Sequence, residues 1–309
     1  MSITITGGFT STGGGFTLVG PPAGKKAIFG YGYTGSFTGI TNLVSNTGTV
    51  ATDTTGVGTA RGWLAAASYG TDKAIFGYGY STGFSRSSIT NLVSNTGVVA
   101  TDTAGVGTAR SDLAAAGYGT DKAIFGYGES SGGSVSVTNL VSNTGVVSTD
   151  TAGVGTARYA LAAASYGTDK AIFGYGYASS TNLSMTNLVS NTGVVATDTA
   201  GVGTSRRYLA AAGYGTDKAI FGYGYTSTHV SITNLVSNTG VVATDTTGVG
   251  TSREGPTAAG YGTDKAIFGY GTTGTNTSVT NLVSNTGVVS TDTAGVGTAR
   301  AYLAAAAYG

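Results

Sequence analysis

The stretch TDKAIFGYG (Thr71–Gly79) returns at Thr120, Thr168, Thr216 and Thr263, and an altered copy, KKAIFGYG, begins at Lys25. Outward from this phrase the surroundings repeat as well. Each copy reads approximately R-x-x-L-A-A-A-G-Y-G-T-D-K-A-I-F-G-Y-G, then a variable segment, then T-N-L-V-S-N-T-G-V-V-A-T-D-T-A-G-V-G-T-A. The phrase TNLVSNTG begins at Thr41, Thr90, Thr138, Thr186, Thr233 and Thr280, which spaces six copies 47 to 49 residues apart. Self-similarity at such a period is the signature of a repeat architecture, in which each copy is one supersecondary unit that buries its apolar face against its neighbours.

Four apolar segments per copy read as strands: a (LAAA), b (KAIFGYG), c (around ITNLVS) and d (GVVATDT). Breakers separate them. GYGTD lies between a and b, a Gly/Ser/Thr-rich stretch between b and c, SNTG between c and d, and AGVGTAR leads into the next copy. Four short strands at this period describe a propeller blade, so the expected fold is all-β, a six-bladed β-propeller of four-stranded blades. A β-solenoid is the competing repeat, but its coils are usually shorter. The alanines of a suit an inner strand crowded around an axis, and the continuous AIF run of b suits a strand covered on both faces. The regular pattern starts at strand b and ends with an extra LAAA, Leu303 to Ala306. The expectation is that this last strand completes the first blade and closes the ring, in preference to Phe16–Val19 supplying that strand. Residues 1–24 are expected to form a Gly-rich arm and 25–309 the propeller.

The order of these features resembles the kelch repeat. An Arg followed after two residues by a small-residue strand, an apolar strand ending in a glycine pair, and two outer strands is the kelch order, with FGYG standing where the family has its double glycine. The similarity runs from Lys25 onward. The outer strand lacks the tryptophan usual in the family, so the resemblance is to a kelch-like repeat. In style the near-identical copies also resemble repeat proteins of bacterial viruses and their hosts.

Composition narrows the function classes. Fifteen Lys and Arg against fourteen Asp and Glu leave a net charge of +1, with no basic stripe for nucleic acid. The absence of cysteine excludes disulfides, thiolate metal sites and a cysteine nucleophile. The first twenty residues carry no positive leader, and no membrane span is expected, nor a classical signal peptide. Enzyme signals are sparse: His229 stands in one copy only, Glu129 and Glu254 lie in different copies, and the G-x-G-x-x-G of Gly30, Gly32 and Gly35 precedes no helical pattern. No catalytic residue, metal site or cofactor is expected.

Two sets of charges recur with the copies: Arg61, Arg110, Arg158, Arg206, Arg253 and Arg300, and Asp53, Asp102, Asp150, Asp198, Asp245 and Asp292. A charge present in every copy is what a packing rule produces, so these are expected to pair between blades as structural groups. The copies differ in two places, the two residues after the repeat Arg and the b–c segment. These hold Trp63, Phe84, Arg86, Asp112, Glu129, Tyr159, Arg207, Tyr208, His229, Glu254 and Tyr302. The start of a and the end of b share one side of an antiparallel blade, so these residues are expected to lie on one face. Aromatic and Arg residues suit recognition. The expectation is a non-enzymatic structural or interaction protein. Its setting is expected to be a tail, fibre or capsid-surface component of a bacterial virus, on the virion or extracellular. Its partners would be other virion or surface proteins or a host-surface glycan. A glycan-binding lectin is the alternative, and a propeller hydrolase is less favoured.

Overall fold

A computed structural model describes residues 9–12, 15–18 and 24–309. Within them the chain is all β, with one 3₁₀ turn at Thr82–Phe84. Six three-stranded antiparallel sheets dominate, and the two-stranded ribbons Tyr80–Ser81 with Ser85–Arg86 and Glu129–Ser130 with Gly133–Ser134 are inserted between the second and third strands of two of them. Sheets 2 to 6 each take their strands from successive segments: Ala65–Tyr69, Lys73–Gly77 and Thr90–Val93 in sheet 2; Ala114–Tyr118, Lys122–Gly126 and Thr138–Val141 in sheet 3. Sheet 4 comprises Ala162–Tyr166, Lys170–Ala178 and Thr181–Val189; sheet 5 comprises Ala210–Tyr214, Lys218–Gly222 and Thr233–Val236; sheet 6 comprises Thr257–Tyr261, Lys265–Gly269 and Thr280–Val283. Sheet 1 joins the two ends of the chain. Its a strand is Ala304–Tyr308, paired with Lys26–Gly30, which pairs in turn with Thr41–Val44.

The register at that joint, Ala304 opposite Gly30 and Tyr308 opposite Lys26, repeats the register of Ala65 opposite Gly77 and Tyr69 opposite Lys73. Gly15–Leu18, the alternative source of the first inner strand, pairs instead with Phe9–Thr12. The arm expected for residues 1–24 otherwise lies outside the described residues. The a strands border one another in chain order, and Ala304–Tyr308 borders both Thr257–Tyr261 and Ala65–Tyr69.

Strand b is the buried middle of every sheet. Ala27, Ile28 and Phe29 and their equivalents are completely covered, as a continuous apolar run requires. The glycine that ends each b strand is dictated by the next sheet: a Cβ at Gly126 would stand 2.7 Å from Cζ of Phe173, and one at Gly269 would stand 3.1 Å from Cζ of Phe29. The same phenylalanine meets the edge of the neighbouring FGYG tyrosine, as in Tyr127–Phe173 at 5.1 Å. One glycine and two aromatics per copy therefore build the contact between consecutive sheets.

The fourth strand differs from expectation. Segment d touches c through two isolated bridges, Thr41 with Thr54 and Val44 with Val50, and forms no continuous strand. Between these bridges c has two residues and d has three, so d bulges. Asn42 fills the bulge, its amide donating to the Ala51 carbonyl at 3.0 Å and to Asp53 at 2.8 Å. A side chain here takes the place of ladder bonds, which explains why GVVATDT reads as a strand yet attaches at two points.

Candidate functional site: the copy-specific face and its axial ring

The repeated arginines are fully buried, each at a joint between two sheets. Arg158 illustrates the set. Its guanidinium lies over the Tyr127 ring of sheet 3 at 4.3 Å while its Nη2 donates to Asn187 of sheet 4 at 2.7 Å and its Nε to the Tyr175 carbonyl at 2.8 Å. The Asn187 amide donates onward to Asp198 at 2.9 Å, and Asp198 accepts from the Thr156 hydroxyl at 2.7 Å and its amide at 3.0 Å. Burial pushes the Asp198 carboxyl upward, but the Thr156 and Asn187 hydrogen bonds and the nearby Arg158 outweigh it and leave the pKa lowered. Asp53 accepts from Thr298 and Arg300 donates to Asn42, so the same relay crosses the joint between the chain ends. The asparagine of TNLV is the member that sequence reading missed. The available signal is an amide side chain set directly before Leu-Val in the same strand in all six copies.

The second residue after each arginine forms a ring. Trp63, Asp112, Ala160, Tyr208, Gly255 and Tyr302 all have φ between 53° and 58°. Each amide donates to the carbonyl of its counterpart in the preceding copy. The bonds run Asp112 to Trp63 (2.9 Å), Ala160 to Asp112 (2.8 Å), Tyr208 to Ala160 (2.9 Å), Gly255 to Tyr208 (2.9 Å), Tyr302 to Gly255 (3.0 Å) and Trp63 back to Tyr302 (2.8 Å). Left-handed backbone is costly for residues other than glycine, and here the closed circle of bonds holds five such residues in it.

The ring gathers side chains that are far apart in sequence. Trp63 stacks on Tyr302 at 4.3 Å, Tyr302 meets the edge of Tyr208 at 5.3 Å, and the Tyr302 hydroxyl donates to Glu254 at 3.0 Å. Tyr33, Phe37, Tyr80 and Phe84 pack around Trp63 as one aromatic cluster, within which Phe84 is 56% exposed. Arg86 pairs with Glu129 at 2.6 Å. Arg207 lies over Tyr177 at 4.4 Å and Tyr225 at 5.0 Å, Tyr159 meets the edge of Tyr177, and His229 packs half-buried against Tyr225. Asp112 is buried, and its Oδ1 and the Ser111 hydroxyl have no hydrogen-bond partner. Burial pushes the Asp112 carboxyl up to about 7, with the neighbouring Ser111 side chain and Arg86 opposing and Glu129 adding to the rise. Burial likewise raises the Tyr208 and Tyr302 hydroxyls.

All the copy-specific candidates thus come to one side of the molecule, but most are spent on each other. Trp63, Tyr208 and Tyr302 are half-buried members of the ring, Asp112 is a buried one, and Phe84 is the large apolar side chain presented to solvent on this side. Beyond the ring the axis holds a cavity of about 250 Å³, lined by the methyls of Ala66, Ala115, Ala163, Ala211 and Ala305 and reaching the GYGTD turns; none of the six ring residues lines it. The GYGTD and SNTG turns meet on that far side, where Asn95 donates to Asp72 at 3.2 Å, and lysine–aspartate pairs such as Lys73–Asp72 at 2.7 Å stand partly in solvent. Among the described residues no three of His, Cys, Asp and Glu gather around one point. No helix of the described residues is long and apolar enough to cross a membrane. No protein-family model and no curated protein matches the chain, so the kelch resemblance rests on the order of residues within the copies.

Proposed function

We propose that the six sheets are blades of a closed, kelch-like β-propeller, and that the protein is a non-enzymatic interaction protein that docks through its copy-specific face. One observation carries the docking reading. Six aromatic side chains, Tyr33, Phe37, Trp63, Tyr80, Phe84 and Tyr302, converge on one sector of that face, and the outermost, Phe84, stands 56% exposed. Exposed apolar clusters beside charged rims mark contact sites, and Arg86 and Glu129 supply such a rim. The closed-ring reading is supported by the cyclic run of backbone bonds from Trp63 to Tyr302 and back. The setting that fits a repeat protein of this style is the surface of a bacterial virus, as a tail, fibre or capsid component.

The test compares Phe84→Asp with Val146→Asp, a substitution at a somewhat more exposed apolar side chain beside a c–d turn on the opposite side. Attachment to particles purified from the source culture is measured by immunogold microscopy. Loss with Phe84→Asp alone supports the reading; equal loss from both, or no attachment by the wild type, counts against it. Half-exposed aromatic rings also favour a sugar as the bound group, so a glycan array run with the same pair separates a lectin from a protein-docking module.

A further inference from the structure

The contacts that hold neighbouring sheets together are nearly the same at every joint: glycine under phenylalanine, arginine over tyrosine, aspartate on threonine. Nothing in them states which sheet follows which. Nor do they state that Ala304–Tyr308 must return to its own Lys26–Gly30, because every a strand meets its b strand in one register. A chain of near-identical copies therefore has many well-packed alternatives, including closure by the end of another copy, which is the usual failure of repeat proteins.

The copy-specific side chains remove that ambiguity. At the joint of sheets 1 and 2, Trp63 stacks on Tyr302 and Phe84 meets Phe37 at 5.2 Å. Sheets 2 and 3 are joined by the Arg86–Glu129 ion pair. Between sheets 4 and 5, Arg207 covers Tyr177, and Asn182 donates to the Thr226 carbonyl at 2.8 Å. The joint of sheets 6 and 1, where the chain ends meet, has Asn276 donating to the Tyr33 carbonyl at 2.9 Å and Tyr302 to Glu254 at 3.0 Å. Four joints thus carry four different chemistries: aromatic, ionic, cation–π with amide, and amide with phenol–carboxylate. A sheet out of place would set Arg86 or Glu129, both partly covered, against an aromatic or neutral neighbour and leave the charge without its partner.

We propose that these side chains act as keys that select the circular order of the sheets and reject closure by the C-terminal strand of a second copy of this chain. The proposal goes beyond the docking reading and does not depend on it, since it concerns contacts within the face rather than the solvent-exposed side of Phe84.

The experiment is refolding from denaturant over a range of protein concentrations, with oligomeric state read by light scattering after size exclusion. Wild type is expected to return as monomer. Arg86→Glu, which sets two like charges at the joint of sheets 2 and 3, is expected to raise the oligomer fraction several-fold, and Arg86→Glu/Glu129→Arg is expected to return it to the wild-type level. Asn276→Ala/Tyr302→Phe tests the joint at the chain ends independently and carries the proposal if Arg86→Glu does not fold. Ile172→Val, which weakens the core of sheet 4 without touching a key, is expected to leave the oligomer fraction unchanged. Monomer throughout, an equal rise in the Ile172→Val control, or no recovery in the double variant would overturn the proposal.

Discussion

A carboxyl group buried with one oxygen unpartnered favours its protonated form, and Asp112 is such a group, set in the same ring as Tyr208 and Tyr302. Its pKa rises from an ordinary 3.8 to about 7 in the fold. A raised folded-state pKa means that the native protein binds the extra proton, so stability is fully present below pH ~4 and is lost as pH rises through ~7. Asp112→Asn keeps the shape and removes the titration. Thermal melts of this variant are expected to match wild type near pH 4 and to exceed it near pH 8, by an amount of up to about 4 kcal/mol. Equal melting at both pH values for the pair would refute the assignment. Arg158 behaves in the opposite manner, since every donor and acceptor of its relay has a partner, whereas Nε of Arg61 and of Arg110 has none. Arg158→Ala leaves Asn187 and Asp198 without their cation, and chemical denaturation is expected to show a loss of about 3 to 5 kcal/mol. A loss near zero would mean that Arg158 is not the bolt its geometry describes. Repetition made Arg158 visible in the sequence. The sequence marked Asp112 only as a copy-specific residue; its burial was hidden, because the groups around it, Arg86, Glu129 and Tyr208, come from distant places in the chain.

Strand b explains why each element needs its neighbour. The tetrad FGYG places its first glycine where the next sheet's phenylalanine enters, so Gly126→Ala drives a methyl to within 2.7 Å of the Phe173 ring. Overpacking of a filled interior of this kind costs about 1 to 3 kcal/mol. In Gly126→Ala/Phe173→Leu the smaller side chain relieves the clash, so the two effects are expected to fall short of additive. A double-mutant cycle by urea unfolding measures this, and strict additivity would separate the two residues. Strand b was legible because its apolar run and terminal glycine repeat without change. Segment d was only half legible: its β-branched residues give it strand character, while the three-against-two bulge and the Asn42 amide that fills it depend on what lies opposite.

At the scale of the molecule the chain ends are the sensitive point. Ala304–Tyr308 covers the edge of Lys26–Gly30, and Gly309 donates its amide to the Asp72 carbonyl at 2.8 Å just as Gly70 donates to Asp121 at 2.7 Å. Deleting residues 304–309 is expected to expose that edge and to replace a cooperative monomer melt with oligomers formed through it. An unchanged melt at monomeric mass would show that sheet 1 stands without its inner strand. The same geometry predicts tolerance of permutation. With Gly309 joined to Lys26 through Thr-Asp, as in the other a–b turns, and the chain opened between Thr168 and Asp169, the protein is expected to melt close to wild type.

Local pattern by itself determined the repeat, the a, b and c strands and the all-β class, because each depends on residues within about ten positions and recurs six times. It also sorted the residues correctly into those the copies share and those they do not. The axial ring of left-handed residues, the burial of Asp112, the pairing of Arg86 with Glu129 and the mutual packing of Trp63 with Tyr302 were decided only by the tertiary structure. The physical reason is one of distance. Trp63 and Tyr302 lie at nearly opposite ends of the chain and meet only when all six sheets are in place, so their contact is a property of the assembled ring and of no single copy.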